Sequence, residues 1–177
     1  MKKIRLIAMI MLSMMATAGY SQIQLGLQAG PQFPLDDFSS GYNTGFGLNA
    51  SARYMVTEDV AAGLNIGYNH FGTDYDDFSS SLMPITLFAD YSLSTNVIRP
   101  YLGFDLGLYN FSWKFKIGNT VSKDSELHFG IAPKAGIGYS LNDNMELTGE
   151  LKWNYVMGDN GNDIDWFGFN IGILYSL

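Results

Sequence analysis

The 177-residue chain contains no cysteine. A lipoprotein anchor is therefore excluded, and no disulfide framework can form even in an oxidising compartment. Past the first 21 residues there is no run of 18 apolar residues, which rules out helical membrane spans. Positive charge is scarce too. Ten Lys and Arg face 17 Asp and Glu, and three of the ten (Lys2, Lys3 and Arg5) sit at the extreme amino end. Without those three, seven remain against 17, a net charge of −10, which excludes nucleic acid as a partner. No stretch reads as a linker, so a single domain is expected.

The amino end sets the compartment. Lys2, Lys3 and Arg5, an apolar run from Leu6 to Met15 and a tail of small residues form the three-part layout of a secretory signal. The run is shorter than the roughly 20 residues a helix needs to span a bilayer. Residues 1–21 are read as a signal peptide with cleavage after Ser21, so that Gln22 opens the first strand; cleavage after Ala18 is the other option. Residues 22–177 are the mature domain.

Within it a period of two keeps returning, as it does in strands with one apolar face. The apolar rows are Ile23–Leu25–Leu27–Ala29, Phe46–Leu48–Ala50–Ala52–Tyr54, Ala62–Leu64–Ile66–Tyr68 and Met83–Ile85–Leu87–Ala89–Tyr91. Four more follow: Leu102–Phe104–Leu106–Leu108, Phe129–Ile131–Pro133–Ala135–Ile137–Tyr139, Leu147–Leu151–Trp153–Tyr155 and Phe167–Phe169–Ile171–Ile173–Tyr175–Leu177. Gly, Asn, Gln and occasional charges alternate with them. Each run is near the 9–11 residues that a tilted membrane-spanning strand requires. The fourth is the least regular, because Leu82 and Phe88 interrupt its polar side.

Connection lengths test this independently. They alternate long (Pro31 to Asn43, His70 to Ser81, Asn110 to Leu127, Met157 to Asp165) and short (Val56 to Asp59, Leu93 to Val97, Leu141 to Asn144). That is the signature of an eight-stranded, antiparallel, up-and-down transmembrane β-barrel with outer loops and inner turns, both termini on the turn side. A soluble lipocalin-like barrel, with its apolar rows turned inward around a ligand, is the alternative. Aromatic residues at strand ends favour the membrane: Tyr54, Tyr68, Tyr91, Tyr109, Tyr139, Trp153, Tyr155 and Tyr175 are placed where amphipathic rings would meet a lipid–water boundary.

Four residues of the last strand, Asn170, Gly172, Tyr175 and Leu177, resemble the closing signal of bacterial outer-membrane barrels. With the signal segment, the eight alternating strands and the PYLGFDLGLY stretch from Pro100 to Tyr109, the chain from Gln22 to Leu177 resembles the small outer-membrane β-barrel proteins, porin-like and of the OmpA/OmpX type. The resemblance implies insertion in the outer membrane by the barrel-assembly machinery acting on the C-terminal strand, periplasmic termini and contact with outer-membrane lipid. Members range from structural and adhesive proteins to small-solute pores, and no catalytic residue carries over. A monomer without cofactor or metal is expected, and the extracellular partner is not identified.

An eight-stranded barrel is wide enough only for its own side chains. Seven charges lie on the polar faces: Arg53, Asp90, Asp105, Lys134, Glu146, Glu150 and Lys152. Counting from the turns puts Asp105, Lys134 and Glu150 near mid-height on consecutive strands, so one ionic cluster is expected, acting as a plug that fixes register. A narrow passive pore is the runner-up. DDFSS occurs at Asp36 to Ser40 and again at Asp76 to Ser80. The outer loops carrying Asp36, Asp37, Asp74, Asp76, Asp77, Asp159, Asp163 and Asp165 read as a solvated acidic rim, since a calcium loop's distal Glu is missing. In FSWKFKIG the apolar parity is shifted relative to Leu102–Leu108. A bulge near Tyr109 and Asn110 would reset it, and the hairpin should project as a flap with Trp113, Lys114, Phe115 and Lys116 as contact candidates. His70, His128 and Ser79–Ser81 supply parts of a hydrolase but no ordered motif, so no enzyme is expected.

Overall fold

The computed structural model describes residues 23–73, 78–117, 120–158 and 163–177. The signal segment, Asp74, Asp76, Asp77 and Asp159 fall outside them, and so do the side chains of Trp113, Lys114, Phe115 and Lys116. Eight strands follow in order: β1 (Ile23–Pro34), β2 (Gly45–Met55), β3 (Val60–Gly72), β4 (Phe78–Ser92), β5 (Ile98–Ile117), β6 (Thr120–Ser140), β7 (Met145–Val156) and β8 (Ile164–Ser176). A one-turn helix, α1 (Asp36–Ser39), lies between β1 and β2. Each strand pairs antiparallel with its chain neighbour, and β1 pairs with β8 to close the barrel.

The register fixes the barrel's size. The ladder from Tyr139 runs through Leu147, Ile173, Leu27, Ala50, Ile66, Ile85 and Leu108 and returns to β6 at Phe129, ten residues from its start. A stagger of ten over eight strands tilts them by about 40° at the usual rise and spacing. Ten tilted residues then cover about 25 Å of axis, the height of an outer-membrane apolar band.

Every residue on that ladder faces outward. Leu27 is 63% exposed and Ile85 52%, whereas Lys134 is 8% and Glu150 3% exposed in the lumen. The soluble-carrier alternative therefore falls: the Leu, Ile and Phe rows form the outer wall, and hydrocarbon is the solvent that suits them. Tyr54, Tyr91, Tyr139 and Tyr175 ring this wall near the turns, while Tyr68, Trp153 and Tyr155 sit towards the loops with Phe33, Phe46 and Phe167.

Two expectations are corrected. Tyr109 is not a lipid-interface residue. It shares the inward parity of Asp105, is 1% exposed and donates a hydrogen bond to Asn154 Oδ1 at 3.4 Å. Nor is there a bulge at Tyr109–Asn110, for β5 keeps one unbroken register with β4 from Tyr101 to Phe115 and with β6 from Ile98 to Ile117. Phe111 therefore stays on the inward side and packs against the buried cluster at the barrel mouth. The apolar parity flips because the surroundings flip: above the bilayer the outside meets water, and the inside meets that cluster.

Candidate functional site: the lumen and its mouth

Short turns and inward glycines set up the lumen. At the turns, Thr57 Oγ1 accepts the Val60 amide at 3.0 Å and Asn142 Oδ1 accepts the Met145 amide at 2.9 Å, capping the reversals with side chains. A side chain at Gly103 would strike the Asp90 carboxylate, and one at Gly136 would strike the Tyr101 ring. Glycine at these two places is what leaves room for the groups between them.

From the turn end upward, the first pair is Arg99 and Glu146, 3.3 Å apart. Above it lies a six-residue network. Arg53 meets Asp90 at 2.7 Å, its guanidinium held between the Phe88 and Tyr101 rings. Lys134 is the hub: its Nζ is 3.0 Å from Asp90, 3.0 Å from Asp105 and 3.7 Å from Glu150, and it lies 4.3 Å from the centre of the Phe88 ring. Lys152 closes the circuit at 2.8 Å from Asp105 and 3.4 Å from Glu150. Tyr101 donates to Glu150 at 2.9 Å, and Thr86 donates to Asp105 at 3.2 Å. Among the described residues four cations thus face four carboxylates and the network is neutral, as burial in low dielectric demands. Asp105, Lys134 and Glu150 meet directly; of the seven charges singled out from the sequence, only Glu146 stands apart. Its partner Arg99 is not among the seven, for it lies below the apolar row that begins at Leu102. The signal was available: Arg99 shares the inward parity of Tyr101, Gly103 and Asp105.

Above the charges comes a layer of amides. Gln32 donates to Asn170 Oδ1 at 3.0 Å and accepts the Trp166 indole N–H at 3.0 Å. One void of about 10 Å³ lies between Gln32, Asn49, Asn69 and Asn170, and another of about 10 Å³ lies beside Arg53, Lys134 and Glu150. Each has room for about one water.

The mouth is closed by carbon. Phe38 from α1 packs edge-on to Phe71 at 5.0 Å and beside Tyr42 at 4.5 Å, over Leu82, Tyr109, Val156 and Trp166. The segment is tethered by the Leu35 amide on Asp165 O (3.0 Å) and the Asn43 amide on Gly72 O (2.9 Å), and Asp36, at φ 42°, turns the chain inward. No sequence signal singled out Phe38. Outside, Trp153 donates to Asp165 at 3.3 Å, and the Tyr155 hydroxyl and the Gly158 amide both bind Asp163. Together these contacts hold the Asp163 carboxyl below the ordinary Asp range, with Tyr155 contributing most. His70 and His128 lie on opposite faces of the wall, on strands separated by β4 and β5, and His128 contacts Glu126 at 3.4 Å. In the last strand Asn170 points inward, while Tyr175 and Leu177 point outward.

An apolar cylinder of spanning height around a neutral, side-chain-filled interior defines a transmembrane β-barrel. The sequence matches the outer membrane protein beta-barrel domain over residues 4–176, and the chain belongs to that family, which places it in the outer membrane. No curated protein matches the sequence. Among solved structures, Neisserial surface protein A is 19% identical with a TM-score of 0.70, covering 88% of this chain and 97% of that one. Ail, the attachment invasion locus protein of Yersinia pestis, is 15% identical with a TM-score of 0.58, covering 88% and 97%. The outer membrane enzyme PagL is 12% identical with a TM-score of 0.52, covering 87% and 99%. At these identities the likeness is one of fold.

Proposed function

We propose that this outer-membrane barrel neither conducts nor catalyses. Its lumen is structural fill, and it works as a monomer through its outer loops, in surface interaction or envelope support. In this reading the short turns and both termini are periplasmic, residues 1–21 are removed on export, and Asn170, Gly172, Tyr175 and Leu177 are read by the barrel-assembly machinery. The hairpin of β5 and β6, with Trp113, Lys114, Phe115 and Lys116, is the surface offered to a partner. The single observation that carries this is the stacking, among the described residues, of ion network, amide layer and aromatic mouth, with the two polar voids beside the ion network and the amides about 10 Å³ each.

Planar-bilayer recording tests it. The purified barrel is expected to give no sizeable steady conductance. A steady conductance that Lys134→Ala reduces or reshapes would establish the narrow pore instead. Trypsin added to intact cells should cut within the β5–β6 hairpin, and lipid A from cells with and without the protein should be identical by mass spectrometry.

A further inference from the structure

The outer wall is not uniform. Where the first and last strands meet, an apolar crevice of about 470 Å³ follows the seam. Its walls are Ile171, Ile173 and Tyr175 on β8 and Leu25 and Leu27 on β1; at the upper end Ala29 leaves room beside Leu48 of β2, and Gly26 and Gly172 line it between the walls. The walls are high because Ile and Leu stand on paired strands, Leu27 directly opposite Ile173 and Leu25 opposite Tyr175.

We propose that this crevice seats one acyl chain of a phospholipid from the turn-side leaflet. Three observations commit it to that occupant. The crevice opens on the face that the Leu, Ile and Phe rows present to hydrocarbon, so water is not its natural filling. It begins at Tyr175, in the tyrosine ring at the turn-side boundary, where a headgroup would lie. From there to Ile171 is four residues, about 13 Å along the strand at the usual rise and about 10 Å of depth at a tilt of about 40°, most of one leaflet of an apolar band about 25 Å tall. The inference stands on the wall alone and does not depend on the lumen being closed.

Native mass spectrometry of the mature barrel released from detergent containing dioleoyl phosphatidylethanolamine tests it. Wild type should carry one lipid adduct, as should Ala62→Phe, which adds the same bulk on β3 away from the seam. Ala29→Phe, which fills the upper end, and Ile173→Ala, which removes a wall without crowding, should each lower the adduct population by about tenfold. Heat-modifiable gel migration confirms that each variant is folded. Equal adducts in wild type and both seam variants, no adduct in wild type, or a wild-type dimer that Ala29→Phe converts to monomer would each overturn the proposal.

Discussion

The two halves of the lumen are blocked by groups that need opposite things. On the turn side, Arg53, Asp90, Asp105, Lys134, Glu150 and Lys152 have traded water for one another, and each is tolerable only while its partners remain. On the loop side, Phe38, Phe71, Tyr109 and Trp166 need no partner of opposite sign; their rings need the absence of water, and the Trp166 indole N–H and Tyr109 hydroxyl need only neutral amides. The first half is therefore sensitive to sign and the second to volume. The difference teaches where each kind of blockage belongs. A charge network can be assembled mid-barrel because eight strands supply alternating positions all round it. An apolar stopper at the open end is completed by one loop, which lays Phe38 over inward rings of the strands.

Breaking the charge half should have the largest effect. Lys134→Met leaves three carboxylates with Arg53 and Lys152, and should cost about 4 kcal/mol in urea unfolding from lipid vesicles followed by circular dichroism. Adding Asp105→Asn restores the balance and should recover about half of that loss; no recovery would mean that the site measures packing, as the mouth does. Trp166→Ala should cost about 3 kcal/mol, and no second substitution of charge should rescue it. Tyr101→Phe keeps the ring against Arg53 and removes only the hydrogen bond to Glu150, for about 1 kcal/mol. The smallest effect lies outside both halves. A depressed carboxyl keeps its contacts above the ordinary Asp value of about 3.9 and loses them only as pH falls through the depressed one. The Gly158 amide should therefore stay protected from exchange at a pH where a free Asp is already half protonated.

The wall was legible in the sequence because lipid outside and side chains inside impose a period of two on every strand, blurred only on the inward side of β4 by Leu82 and Phe88. The same alternation assigned the inward charges, since a residue two places from Asp105 or Lys134 must share its face. Position along a strand misleads where parity does not. Tyr109 ends its strand as an interface tyrosine would, yet it counts with Asp105. Phe111 mimics a bulge in the sequence because the apolar side does not mean the same thing at every height. Loop packing was opaque for a different reason. Asp36, Asp37, Ser39 and Ser40 have the composition of solvated loop, and one buried Phe38 among them has no periodicity to betray it.

The Leu177 amide donates to Ile23 O at 3.0 Å, so the two ends of the wall meet as closely as the ends of any hairpin. Topologically the cylinder has no first strand. Bridging Leu177 to Ile23 with a short turn and opening the chain at Asn142–Asp143 would write the same ladder as a circular permutant, with β7 leading and β6 closing.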